Sequence, residues 1–134
     1  MKKAVVEALE AAGARVEDVG PHDEGSVDYP DYAERVARAV STGEAARGVL
    51  VCGSGIGMSI AANKVSGVRA ALVQDADGAR MSRLHNDANV LCLGATRVDA
   101  AAVSEIVQTW MATEFEGGRH QQRVDKITRI ENDG

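Results

Sequence analysis

Strands alternating with helices along this chain predict an α/β fold, a three-layer α/β/α sandwich around a parallel sheet of four strands. Three observations carry the prediction. Short apolar runs are separated by longer stretches whose apolar residues recur with helical spacing, the pattern of right-handed crossovers between parallel strands. At the centre, Val49-Leu-Val-Cys-Gly-Ser-Gly-Ile-Gly-Met-Ser-Ile-Ala-Ala-Asn-Lys64 reads as a strand, a tight glycine turn and a helix. A length of 134 residues, 45% hydrophobic and 26% charged, is that of one soluble globular domain spanning residues 1–134.

Residues 2 to 12 place Val5, Val6 and Leu9 on one face and stop at Gly13, a helix closed by a glycine cap. Ala14 to Val19 reads as a short strand, followed by the loop Gly20-Pro-His-Asp-Glu-Gly-Ser26. Pro30 fits a first helical position, with Tyr32, Val36 and Val40 along one face up to Ser41-Thr-Gly43. The central strand and helix follow and end near Gly67. Arg69 to Gln74 is a third strand and Ala76 to Leu84 a helix ending close to His85. Asn89 to Leu93 is a fourth strand, closed by Gly94. Val103, Ile106, Val107, Trp110 and Met111 form a long helix's apolar stripe, and Val124, Ile127 and Ile130 face one way on a final helix. The chain opens with a helix, whereas a doubly wound sheet normally opens with a strand.

The central turn is where chemistry is expected. Gly53, Gly55 and Gly57 remove the side chains that would hold a ligand away from the backbone amides. Those amides lie at a helix start, whose free N–H groups and dipole favour an anion such as a phosphate or an enolate. The same field would stabilise Cys52 as a thiolate, placing a base or nucleophile beside an anion hole. A strand-end cysteine is more often a small buried hydrophobe, but a merely structural turn rarely needs three glycines. Neither nucleotide fingerprint fits: Met58 stands where G-x-G-x-x-G requires its last glycine, and no Gly-Lys-Ser/Thr follows four spacers.

Composition narrows the partners. A net charge of −5 argues against general nucleic-acid or membrane binding, and 3% aromatics leave no platform for stacking bases. No apolar run approaches membrane-spanning length, so residence in the cytoplasm is expected. Cys52 and Cys92 lack metal-site spacing and are expected as reduced thiols, with no metal and no cofactor. Further candidates are His85-Asn-Asp87 before a strand, Arg119 and Arg123 one helical turn apart as a phosphate clamp, and Arg97 after a strand's carboxyl end. The first two have plainer alternatives, a capping histidine and a solvated basic face, whereas the location of Arg97 is better suited to a ligand than that of an arbitrary surface arginine.

Four motifs, in order, resemble the type B ribose-5-phosphate isomerases, a family with relatives acting on galactose 6-phosphate and other sugar phosphates. They are Asp28-Tyr-Pro-Asp-Tyr-Ala33, the stretch Cys52 to Lys64, Arg80-Met-Ser-Arg-Leu-His-Asn-Asp-Ala-Asn-Val90, and Thr113-Glu-Phe-Glu-Gly-Gly-Arg-His120. The resemblance implies a Rossmann-like, flavodoxin-type sheet and a metal-free aldose–ketose isomerase, a homodimer or homotetramer with active sites shared between subunits. It implies that Cys52 is the base moving a proton between C1 and C2, in place of the glutamate that other members carry at the position of Met58. Ser54 would help move protons to the sugar oxygens, and Gly53, Gly55, Ile56 and Gly57 would hold the enediolate through backbone amides. His85 would open the furanose ring, Asn86 would bind sugar hydroxyls, Arg119 and Arg123 would bind the phosphate with Arg97 assisting, and Tyr29 would line the pocket.

Family members normally begin with a strand ending in an Asp-His pair, and this chain starts about a dozen residues later. That strand usually occupies mid-sheet, and its loss would cost several kcal/mol against a total stability of about 5 to 15 kcal/mol. The expectation is a start assigned at an internal methionine, with Met1 inside the first helix; the alternative, a genuine truncation, predicts a weakened or inactive protein or a gap filled by another chain. Two functions follow from different classes: an isomerase of ribose 5-phosphate, or of galactose or allose 6-phosphate, and a sugar-phosphate-binding protein without turnover.

Overall fold

The computed structural model describes residues 1–20 and 28–133. Helix α1 (Lys2–Ala11) ends on Ala12, with Gly13 left-handed at φ +90° as the sequence anticipates. Helix α2 (Tyr29–Ser41) starts after Asp28, with Pro30 one position later than expected. Then come β1 (Gly48–Cys52), α3 (Ile56–Ala62), β2 (Ala70–Leu72), α4 (Ala76–Asn86), β3 (Val90–Gly94), α5 (Ala100–Ala112) and α6 (Arg119–Asp133). Side chains of Asp75 and Asp99 accept from the Gly78 and Ala102 amides at 2.7 and 2.9 Å, fixing where α4 and α5 begin.

The sheet is parallel, in the order β1-β3-β2, with Gly48 opposite Val90 and Cys52 opposite Gly94. Alternation along the strands builds a core on each face. Leu91 and Leu93, with Val49 and Val51 behind them, meet α1, α4 and α5 through Val5, Ala79, Val103, Ile106, Val107 and Trp110. Leu50, Val90 and Cys92 meet α2 and α3 through Ala33, Ala37, Val40, Met58 and Ala62. Gly48 lets α2 ride close on β1, because an added Cβ would lie 3.3 Å from a Val40 methyl.

Three strands are present among the described residues, not four. Ala14 to Val19 forms no regular element and joins no ladder, and the loop expected at Gly20 to Ser26 lies outside the described residues from Pro21 onward. The physical reason is geometric. Between Ala14–Gly20 and β1 lies a groove of about 1250 Å³, lined by Val16, Val19, Leu50, Cys52, Trp110 and Met111 among others. A segment with β-type alternation becomes a strand only where a partner's N–H and C=O groups are within reach, and here the groove intervenes. The free side of β1 therefore has no strand partner among the described residues.

Candidate active site

The chain passes from β1 to α3 in a turn whose start is held by the two residues that follow β3. Ala95 N–H donates to Cys52 O at 2.8 Å, while Thr96 donates to Gly53 O through its amide at 3.0 Å and its hydroxyl at 2.7 Å. Gly55 caps α3 with φ +79°, a left-handed torsion natural to glycine. An added Cβ there would also meet Leu93 C at 3.0 Å. This torsion aims the Gly55 amide at Cys52 Sγ, 3.3 Å away, while the Ile56 amide donates to Ser54 Oγ at 3.2 Å.

The result is a half-buried thiol at a strand end, lining the groove, with the first turn of α3 supplying N–H groups that have no helical acceptor. Tyr29 joins it from α2: the ring lies over Gly57 so closely that a Cβ there would be 2.6 Å from Tyr29 Cε1. Arg97 follows β3 at the same carboxyl edge, its N–H bonded to Gly94 O at 2.9 Å. Cys92 is the opposite kind of cysteine. It is fully buried mid-strand, and burial, with Cys52 next in effect, pushes its thiol up to about 12.

The remaining candidates lie elsewhere. In a parallel sheet each helix carries the chain back to the starting edge, so α4 ends where β3 begins. His85 and Asn86 close α4, and Asn86 O accepts from Arg69 Nε at 3.0 Å, just ahead of β2. Arg119 and Arg123 open α6, which is docked on the same amino edge, and both are exposed. Glu116 N–H donates to Leu84 O at 3.1 Å, and Arg83 Nε donates to Thr113 O at 3.1 Å, tying the stretch before α6 to the end of α4. Four residue steps of β1 at about 3.3 Å each separate the edges by roughly 13 Å. One chain thus brings Tyr29, Cys52, Ser54, Gly55, Gly57 and Arg97 together, and His85, Asn86, Arg119 and Arg123 together, but not the two sets with each other.

The amino-edge set includes two residues that carried no assignment in sequence. The His120 imidazole stacks on that of His85, with centroids 4.1 Å apart and planes 17° apart, and Glu116 Oε2 lies 4.0 Å from His120 Nε2. Burial, then the neighbouring His85, hold the His120 pKa below its ordinary value. The quoted motif ending in His120 was the one available signal, but a histidine after Gly-Gly-Arg gains meaning only once residues 113–118 fold onto α4.

Among the described residues no helix is long and apolar enough to cross a membrane. Residues 1–127 match the family model described as Ribose/Galactose Isomerase. Ribose-5-phosphate isomerase B of Escherichia coli (strain K12) is 46% identical over 131 residues, 98% of this chain and 88% of that protein. The solved ribose-5-phosphate isomerase B of Clostridium thermocellum superposes with a TM-score of 0.95 at 50% identity, covering 98% of this chain and 89% of that one. That of Mycoplasma genitalium, solved with bound ribulose-5-phosphate, gives 0.93 at 43% identity over 99% and 89%. Matched over residues 1–127 by the family model and over nearly its whole length by these relatives, the chain belongs to the ribose/galactose isomerase family.

Proposed function

We propose that this chain is an aldose–ketose isomerase interconverting ribose 5-phosphate and ribulose 5-phosphate in the cytoplasm, as a single domain. The observation that carries the reading is the Cys52 thiol, open to a groove and 3.3 Å from the Gly55 amide. Isomerisation removes the proton on C2 of the open-chain aldose, passes through an enediolate and returns a proton to C1. It needs one base and fixed donors near the oxygens that become charged. Cys52 is the base, the amides from Gly53 to Gly57 hold the enediolate, and Ser54 relays protons between the sugar oxygens. His85 opens the ring, Asn86 holds hydroxyls, and Arg119 with Arg123 takes the phosphate, assisted by Arg97; Tyr29 walls the sugar.

Because these two groups stand at opposite sheet edges, the working site is composite, with a second copy bringing its His85 end to the Cys52 end of the first. In a two-fold pair this makes two sites. Exposed apolar side chains flank both ends: Ile56 and Ile60 on α3, and Ile127 and Ile130 on α6, the last 69% exposed. Such residues are the material of a homodimer interface.

The test measures conversion of ribose 5-phosphate, galactose 6-phosphate and allose 6-phosphate alongside calorimetric binding of each. Turnover of ribose 5-phosphate with the largest kcat/KM is expected. Binding of all three without conversion would instead make the chain a sugar-phosphate-binding protein.

A further inference from the structure

His85, Glu116 and His120 present one donor atom each, all within 4.8 Å of one another. The His120 side chain is nine-tenths buried, and among the described residues its imidazole makes no hydrogen bond. Its polar surroundings are the stacked His85 ring and the Glu116 carboxylate, 4.0 Å away and too far to hydrogen-bond. The imidazole is thus held almost wholly inside the fold with two further donor atoms converging on it, an arrangement that can close on a shared ion.

We propose that His85, Glu116 and His120 form a binding site for a divalent transition metal of the zinc and cobalt type, which inhibits the enzyme by holding His85. Two imidazole nitrogens and a carboxylate oxygen form a donor set suited to such ions and unsuited to calcium or magnesium. Zinc takes these ligands at about 2.0–2.2 Å, and three protein ligands with water in the fourth place complete a tetrahedron. Closing on the ion draws the donors inward by about 1 Å. The stacked rings tilt out of their 17° arrangement, and the exposed Glu116 side chain swings in. Backbone anchors are already in place, since the Glu116 amide is bonded to Leu84 O and the His120 amide to Gly117 O at 3.0 Å. Arg119 and Arg123 flank the cluster and weaken attraction for a cation, so the site is reversible and weaker than a structural zinc centre.

The binding site stands on its own geometry; the inhibition rests on His85 opening the sugar ring. The experiment uses the full chain carrying Cys52→Ala, which removes the competing accessible thiol. Cobalt(II) is titrated and followed by its visible d–d bands and by calorimetry, then displaced by zinc. One ion per chain is expected, with no sulfur-to-cobalt charge-transfer band. Affinity falls about tenfold or more in His120→Ala and in Glu116→Gln, the second being an exposed position whose change leaves folding intact. Unchanged affinity in Glu116→Gln, or no cobalt bands below millimolar metal, overturns the site. In the Cys52 enzyme, zinc is expected to slow turnover, with relief by a chelator and a weaker effect in Glu116→Gln. Binding without inhibition leaves the site standing and overturns the role given to His85.

Discussion

Gly94 lies directly beneath the backbone of Ser54, so that a Cβ added to Gly94 would sit 2.6 Å from Ser54 C. The obstacle is main chain and cannot rotate aside. Gly94→Ala must therefore lift the Cys52–Ser54 turn off β3, breaking the bonds from Ala95 and Thr96 that position it. Expected are a loss of about 1–3 kcal/mol of stability and a larger fall in kcat than in substrate affinity. Thermal unfolding and steady-state kinetics on the same preparation check this; a variant with unchanged kcat would contradict it.

The two cysteines are expected to differ sharply in reactivity. Cys92 is buried and its thiol is pushed up to about 12, whereas Cys52 faces the groove. Iodoacetamide at neutral pH should modify Cys52 alone, substrate should protect it, and labelling should abolish turnover in step with incorporation. Peptide mass analysis reads the site. Cys52→Ala should retain the fold and lose about 10² to 10⁴ in kcat.

Mixing two inactive proteins should restore activity. If the site is shared, a hybrid of Cys52→Ala and His85→Ala chains contains one complete site, built from the Cys52 of one and the His85 of the other. Random reassortment of dimers then recovers about a quarter of the wild-type rate. An assay after mild dissociation and remixing measures it; no recovery despite verified hybrids would mean that each chain is catalytically self-contained.

Acid should destabilise the protein through His120. Its pKa is lowered on folding from an ordinary 6.5, by burial first and by His85 next, so the unfolded chain takes up the proton before the folded one does. The stability this contributes is complete above about pH 6.5 and is lost as pH falls toward the lower folded value. In the presence of a chelator, Tm should drop between pH 7.5 and 5 more steeply in the wild type than in His120→Gln. Parallel slopes would show that His120 is not the titrating group.

What could be read from sequence follows from how local each signal is. The β1 turn and α3 were legible because three glycines and a strand-end cysteine lie within six residues, and the torsion at Gly55 is dictated there. The stripe Val103, Ile106, Val107 and Trp110 was legible for the same reason and is fully buried. Ala14 to Val19 was misread because a strand is defined by its partner, and alternation alone cannot report that the neighbouring position is a groove. Sharing of the site between subunits was implied by the resemblance, but which residues fall on which side was not legible. Resemblance assigns His85 and Cys52 to one reaction, but only the direction in which α4 returns reveals that they stand at opposite edges of the sheet in one chain.

The flank of β1 that has no strand partner among the described residues shapes how the protein behaves in concentrated solution. Peptide groups from Gly48 to Cys52, beside the apolar Val49 and Val51, form a template onto which another extended chain can zip. Prolonged storage at high concentration therefore favours intermolecular cross-β growth and precipitation over orderly assembly.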